Sequence, residues 1–524
     1  MTTFSPPQIA SGPAEFRAIP ELIHAQAQIT PARRALVECA GADSRAIDYA
    51  ALDALMDRIA AALQRDGLHS GDAIAICAAT SIAYAAVFLG ALRAGVVVAP
   101  LAPGSTPDSL ARMLADAGAR LLFTDTAAAS TVGEAGAITI PRIALDGATS
   151  GQPLEAWLAD IGSTPAPVAL QPGWPFNIIY SSGTTGAPKG IVQSHGMRWA
   201  HVMRGAKYGY GPDTVTLLST PLYSNTTLVV FFPTLAFGGT VLLMPRFDAA
   251  GYLQRAQANH VTHTMLVPVQ YQRLMARPDF DAHDLSSFRM KFSTSAPFSA
   301  ALKADVLKRW PGGLTEFYGL TEGGGTFILE AHNHPDKLHT VGRPAEGHDL
   351  RLIDEAGVEV RPGEAGEVVG HSGGMMTGYH GQPEKTREAE WFAPDGKRFI
   401  RTGDIGRFDA DGFLTLFDRK KDMIISGGFN IYPSDLEALL GEYPAVAEAA
   451  VVGVPSVEWG ETPVAFVVIR AGNDTTAEAL KDWLNQRVGK TQRLSALHLV
   501  PELPRSAIGK VLKRELRDRY SARL

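Results

Sequence analysis

Between residues 71 and 140 strand-like apolar runs alternate with stretches of helical period, a rhythm that restricts the chain to helices layered on a mostly parallel sheet. Gly71-Asp72 turns into Ala73-Ile74-Ala75-Ile76-Cys77, and residues 82 to 94 read as an apolar helix. Val96-Val97-Val98-Ala99-Pro100-Leu101 reads as the next strand, and Leu121-Leu122-Phe123-Thr124 and Ala137-Ile138-Thr139-Ile140 continue the series. Ahead of them Leu52, Leu55, Met56, Ile59, Ala60 and Leu63 recur at helical spacing, which predicts an amphipathic helix over 48–65. A second round follows, with Val215-Thr216-Leu217-Leu218, a helix near 227–237, and Thr240-Val241-Leu242-Leu243-Met244.

From about residue 341 the texture changes. Leu350-Arg351-Leu352-Ile353 alternates and then turns at Asp354-Glu355-Ala356-Gly357, and Gly366-Glu367-Val368-Val369-Gly370 and Phe413-Leu414-Thr415-Leu416-Phe417 read as short strands between tight turns. A small antiparallel subdomain is expected there. A fresh unit begins after Asp418-Arg419-Lys420-Lys421-Asp422, with strands at 449–454 and 465–469 and a helix over 477–488. A chain of 524 residues is too long for one core. The expected architecture is therefore α/β: a large N-terminal domain, 1–420, of layered α/β subdomains plus the antiparallel β-subdomain, and a small α+β C-terminal domain, 421–524.

Residues 180 to 190 read Tyr-Ser-Ser-Gly-Thr-Thr-Gly-Ala-Pro-Lys-Gly, directly after the strand-like run Phe176-Asn177-Ile178-Ile179-Tyr180. Ser181, Ser182, Thr184 and Thr185 supply hydroxyls. Gly183, Gly186 and Gly190 let backbone N–H groups approach a ligand, and Lys189 adds a cation. Such a loop suits an oligophosphate. It is not a Walker loop, since Pro188 precedes the lysine and Gly190 follows it. Four further stretches carry chemistry. Ser293-Thr294-Ser295-Ala296-Pro297 is a small-residue loop against which a flat base can lie, although alone it fits an ordinary turn. Tyr318-Gly319-Leu320-Thr321-Glu322 offers an aromatic to stack, a hydroxyl, and a carboxylate for Mg²⁺. Arg401-Thr402-Gly403-Asp404 places an Asp on a glycine turn, either as a cap or as the carboxylate that holds a ribose diol; the fork of Arg419 suits a second ribose contact. Near the C-terminus Lys510 follows Gly509, and a lone lysine is most often a surface residue.

Taken together and in order, these stretches resemble the core motifs of the acyl-adenylate-forming superfamily, which holds acyl-CoA synthetases, peptide-synthetase adenylation domains and beetle luciferases. The resemblance runs from roughly residue 25 to 515. It implies ATP, Mg²⁺ and coenzyme A as cofactor and co-substrates. Ser181, Ser182, Gly183, Thr184, Thr185, Gly186 and Lys189 would hold the β and γ phosphates. Tyr318 and Gly319 with Ser295, Ala296 and Pro297 would take the adenine, Asp404 and Arg419 the ribose, Thr321 the α-phosphate and Glu322 the metal. Lys510 would bridge the acyl carboxylate and the α-phosphate. Lys421 matches the hinge about which the C-terminal domain turns between half-reactions, and Gly427 and Gly428 match the loop lining the pantetheine tunnel. Ser506 and Ile508 depart from the family, which usually has Thr or Asn and then Ser or Thr there. Ser224 stands where many relatives carry a histidine at the acyl pocket.

The implied activity is an AMP-forming carboxylate–CoA ligase. The alternative is a freestanding adenylation enzyme that loads a carrier protein; amino-acid adenylation domains keep an early pocket Asp, and Pro221 to Thr227 has none. A luciferase-like oxidase is a rarer member. A non-catalytic nucleotide-binding protein would not be expected to keep Lys189, Glu322, Asp404 and Lys510 together. Pocket walls are expected from Trp199, Tyr223, Ser224, Asn225, Thr226, Thr227, Val267-Pro268 and Ser295-Ala296. Gly323, Gly324 and Gly325 are expected to leave room at the base, favouring a bulky aromatic or medium to long-chain monocarboxylate over acetate. No arginine is assigned to that pocket, although His195, Arg198 and Arg204 lie close in sequence.

A net charge of −6 with no long Lys/Arg block argues against a nucleic-acid partner. Cys39 and Cys77 sit in apolar runs and read as buried free thiols. The first residues lack a signal pattern and no apolar run reaches membrane length, so the cytoplasm is the expected compartment. Oligomeric state is open, a homodimer being the oligomer considered.

Overall fold

The computed structural model describes residues 15–39, 44–134, 139–147, 151–181, 189–419, 422–426, 429–456, 459–506 and 509–521. Its first sheet has eight strands, in the order Gly378–Tyr379, Lys189–Ser194, Pro175–Ser181, Val97–Leu101, Ala73–Cys77, Ala119–Thr124, Arg142–Ala144 and Gln152–Pro153. From Pro175–Ser181 to Gln152–Pro153 neighbours run parallel. Both Ala73–Cys77 and Val97–Leu101 are buried at every position, as unbroken apolar runs in a covered parallel sheet should be. The strand expected over 137–140 instead appears at Arg142–Ala144; residues 135–138 lie outside the described ones, and Pro141 ends the short run before pairing begins.

A second, nine-stranded sheet has a parallel centre and antiparallel edges, ordered Arg343–Pro344, Gly323–Glu330, Gly313–Leu320, Met290–Ser293, His263–Leu266, Val215–Leu218, Thr240–Leu243, Arg34–Glu38, Arg45–Asp48. Helices Tyr49–Arg65, Ile82–Arg93 and Asn225–Ala236 share a core with both sheets, joining Ile74, Ile76 and Val98 of one to Leu218, Val241 and Met265 of the other. Ile82–Arg93 is apolar nearly all round because it is covered nearly all round, buried from Tyr84 to Leu92. It lies so close to Tyr49–Arg65 that a Cβ on Gly90 would sit 2.6 Å from the Cβ of Ile59.

The change of texture after residue 341 becomes an antiparallel sheet of Asp349–Ile353, Gly366–His371, Arg398–Phe408, Glu390–Phe392 and Leu414–Arg419. The last sheet comprises Phe429–Ile431, Ile424–Ser426, Gly460–Ile469, Val446–Ser456 and Ala496–Leu499, with helices Pro433–Gly441, Ala477–Asn485 and Lys513–Ser521. It has its own core around Ile424, Leu436, Val451, Ala465 and Leu480. Cys39 and Cys77 are buried and free, and burial pushes the Cys77 thiol up to about 12. Among the described residues no helix is long and apolar enough to cross a membrane.

Candidate active site

One cleft of about 2320 Å³ runs between the large sheets and the C-terminal unit, and Ser181, Lys189, Ser295, Tyr318, Thr321, Glu322, Asp404 and Lys510 all line it. The strands Pro175–Ser181 and Lys189–Ser194 pair antiparallel, with Ser181 opposite Lys189. Ser182, Gly183, Thr184, Thr185 and Gly186 lie outside the described residues. Lys189 Nζ stands 4.9 Å above the ring of Tyr379. The Tyr379 hydroxyl donates to Glu322 Oε1 at 2.9 Å. Burial, reinforced by the charge of Glu322, raises the Tyr379 phenol far above its ordinary value, so it stays a donor.

Thr321 and Glu322 form the turn between Gly313–Leu320 and Gly323–Glu330, and Tyr318 sits inside the first strand rather than after it. The turn is pinned through its backbone: Gln193 Nε2 donates to Thr321 O at 2.8 Å, and Met376 N to Glu322 O at 2.8 Å. Mg²⁺ keeps several waters and takes most other ligands from substrate phosphates, so it needs only one or two carboxylates. Glu322 fits that demand. Among the described residues no group of three or more His, Cys, Asp or Glu could hold a metal ion on its own.

Tyr318 donates from its hydroxyl to Asp404 Oδ2 at 2.6 Å, which ties the expected adenine and ribose residues together. Asp404 also pairs with Arg419 across the Arg398–Phe408 and Leu414–Arg419 strands; the side chain of Arg419 lies outside the described residues. Ser295 is one of two non-glycine residues at positive φ among those described, at 80°. Its Oγ lies 2.6 Å from Thr226 Oγ1, so the strained turn is anchored to the first turn of Asn225–Ala236. Lys510 comes in from the C-terminal unit. A Cβ on Gly509 would lie 2.8 Å from Val269 Cγ1 and 3.2 Å from Val267 Cγ2, so only a glycine lets this turn seat against the wall of the large domain. Lys421, Gly427 and Gly428 fall outside the described residues.

At the acyl end Tyr223, Ser224, Asn225, Thr226, Pro268, Ser295 and Ala296 line the cleft as expected. Ser224 caps Asn225–Ala236, accepting from Thr226 N at 3.3 Å. Asn225 Oδ1 accepts from Arg198 Nη1 at 2.8 Å. Arg198 is wholly buried and shares its other donors between Asn177 and Gln193, all neutral amides. Burial pulls its guanidinium down to about 9, still charged at neutral pH.

Three expected walls are elsewhere. Trp199 packs edge-on to Phe16, Thr227 is buried against Thr220 and Pro221, and Val267 faces the Gly509 seat. The expectation for Gly323, Gly324 and Gly325 is also corrected, for they do not open the pocket. A Cβ on Gly323 would meet Gly374 O at 2.0 Å, on Gly324 the Cβ of Ile400 at 2.9 Å, and on Gly325 Leu350 Cδ2 at 2.2 Å. The glycines let the Gly323–Glu330 strand lie close against the antiparallel subdomain.

Residues 23–380 match the family model described as AMP-binding enzyme, and residues 435–510 match the model of the AMP-binding enzyme C-terminal domain. The chain belongs to the AMP-binding enzyme family. A feruloyl-CoA synthase of Amycolatopsis is 35% identical over 484 residues, covering 91% of this chain and 94% of the relative. A fatty acid–[acyl-carrier-protein] ligase, ScoC of Streptomyces coeruleorubidus, is 32% identical over 510 residues, covering 95% of each. ATP-bound MatB from Rhodopseudomonas palustris superposes with a TM-score of 0.84 at 29% identity, covering 96% of this chain and 99% of that one. This AMP-binding enzyme thus sits among acyl- and aryl-CoA ligases, AMP-forming acid–thiol ligases that use ATP, Mg²⁺ and CoA.

Several residues of the AMP-binding enzyme's cleft were not foreseen from sequence. Tyr379, which joins Lys189 to Glu322, lies far along the chain in no recognisable motif. His201, Arg204 and Tyr208 also line the cleft. Their spacing on the helix His195–Lys207 and its cap was the available signal, since it places them on one face.

Proposed function

We propose that this enzyme is an AMP-forming carboxylate–CoA ligase acting on a bulky hydrophobic acid, aromatic or of medium to long chain. One observation carries the proposal: Lys510, Thr321 and Glu322, the Tyr318–Asp404 pair, and Tyr223, Ser224 and Asn225 all line a single cleft. A carboxylate bound at Tyr223, Ser224 and Asn225 would share that cleft with a nucleotide bound at Tyr318 and Asp404.

In the first half-reaction a carboxylate oxygen attacks the α-phosphorus of ATP. The new O–P bond forms as the bond to pyrophosphate breaks, giving acyl-AMP. Both reactants are anions, so positioning and neutralisation supply most of the rate gain. Lys510 would neutralise charge between the acyl carboxylate and the α-phosphate, Thr321 would donate to that phosphate, and Lys189 with the Ser/Thr/Gly-rich sequence before it would hold the leaving pyrophosphate. Mg²⁺, held by Glu322, would supply further neutralisation of the phosphates when bound. In the second half-reaction the CoA sulfur attacks the acyl carbon. The C–S bond forms, the C–O bond to AMP breaks, and the thiol proton passes to solvent. Domains 1–420 and 421–524 would turn about Lys421 between these steps, withdrawing Lys510 and presenting Gly427 and Gly428 to the pantetheine arm.

The likeness to an acyl-carrier-protein ligase supports a second acceptor, a carrier protein. Purified protein with ATP, Mg²⁺, CoA and a panel of carboxylic acids separates the readings. AMP, pyrophosphate and an acyl-CoA thioester are expected together. ADP as product overturns the adenylate mechanism, and acyl-AMP that no CoA consumes favours the carrier.

A further inference from the structure

Beyond Asn225 and Thr226 the acyl end continues as a slot. Val229 and Val230, one turn further along Asn225–Ala236, line one side. Aromatic rings line the slot as well: Phe292 and Phe317 stack at 5.6 Å, and Tyr208 stands edge-on to them at 5.2 and 5.9 Å. Such walls take a flat ring.

The end of the slot is polar and unmet. Arg204 lies 5.8 Å over the ring of Phe317 and lines the cleft. Among the described residues it has neither a carboxylate partner nor a hydrogen-bond acceptor. Glu316, which also lines the cleft, pairs with Lys303 at 2.5 Å, and Glu330 pairs with Lys207 at 2.8 Å. The hydroxyls of Tyr208 and Tyr210 and Nδ1 of His201 are shielded from solvent and have no hydrogen-bond partner there either. Burial raises both phenols far above their ordinary values, so they remain donors at neutral pH. Burial, with the charges of Arg204 and Arg198 added, keeps the His201 ring neutral. A guanidinium fork and two phenol donors without acceptors are costly to bury, and an incoming oxygen acceptor relieves that cost for all of them together.

We propose that this set is a recognition site for an oxygen at the end of the acid opposite its reacting carboxylate, a second carboxylate or a phenolic oxygen on an aromatic frame, with Arg204 as the residue that selects it. The proposal rests on the ligase reading above and narrows its substrate class.

The test measures AMP release with benzoate and cinnamate, each carrying a para-hydroxyl, para-carboxylate or para-methyl group. The wild-type enzyme is expected to favour an oxygen-bearing acid over its para-methyl analogue by tenfold or more in kcat/KM, and the better of the two oxygens identifies the group. Arg204→Met is expected to erase that preference, chiefly through KM, while para-methyl acids are used as well as before or better. Arg204→Lys should recover part of the preference, since it restores charge without the fork. Tyr210→Phe should reduce it severalfold and serves as the second variant if Arg204→Met melts early or fails to bind AMP. A wild-type preference for para-methyl acids, or an equal loss on every acid in both Arg204→Met and Tyr210→Phe, overturns the proposal alone. Absence of AMP from any acid of a broad panel overturns the ligase reading, and the proposal falls with it.

Discussion

The two ends of the cleft are built in opposite ways. At the nucleotide end three polar pairs are closed inside the protein among the described residues: Tyr318 on Asp404, Tyr379 on Glu322, Gln193 on Thr321. Its residues come from short contiguous stretches, some within strands and some in the turn between two of them. At the acyl end the residues come from the turn into Asn225–Ala236, the faces of that helix and of His195–Lys207, and strand interiors, and among the described residues Tyr208, Tyr210 and His201 keep polar atoms unmet. An end whose partners are supplied from within is preorganised for one ligand. An end with unmet groups has its chemistry completed by whichever acid enters. Within such a family the first end should vary little in what it binds and the second should set the substrate.

Four substitutions sharpen or break that contrast. The largest effect is expected from Lys510→Ala, which removes a cation at the developing charge and should cut acyl-AMP formation by about a hundredfold or more for every acid. Thioester formation from supplied acyl-AMP should survive, and equal loss of both steps would defeat the assignment. Arg198→Met acts between the two ends, because that buried guanidinium holds Asn225 of the acyl pocket and, through Gln193, the Thr321 turn. Removing it leaves several amide oxygens unsatisfied, each at about 1–3 kcal/mol. A lower Tm is expected, with kcat/KM reduced for both ATP and the acid; an effect on the acid alone would break the proposed link. Tyr318→Phe removes one hydrogen bond to a carboxylate, worth about 1.5–3 kcal/mol at most, and should raise KM for ATP severalfold while the ranking of acids stays the same. Gly324→Ala puts a methyl against Ile400 at a φ of 81°. It should lower stability by about 1–3 kcal/mol, read as Tm, and leave acid preference untouched. A shift toward shorter acids would restore the glycines to the pocket.

The layered α/β core was readable because its signals are local: unbroken apolar runs such as Ala73–Cys77, and the helical period from Leu52 to Leu63. The nucleotide-end residues were readable for the same reason, each motif being a short run of sequence neighbours. Tyr379 was not, since it reaches Glu322 only because a two-residue strand adds to the edge of the first sheet. The glycines after Glu322 misled because sequence shows that a side chain is missing, not which neighbour occupies its space. Here that neighbour is backbone and side chain of the antiparallel subdomain rather than substrate. Arg204 was seen as near in sequence, but its entry into the cleft depends on how His195–Lys207 packs on Asn225–Ala236, a tertiary fact.

The seat of Gly509 on Val267 and Val269 has a consequence for timing. It is an apolar contact of a residue without a side chain against two methyl-bearing ones. Contacts of that size are worth on the order of 1 kcal/mol, so the seat aligns Lys510 without locking it in place. If Lys510 withdraws after every first half-reaction, as proposed, it gains from a shallow resting place. A residue larger than glycine would be excluded by the valines, and a polar anchor there would slow the departure on which the second half-reaction waits.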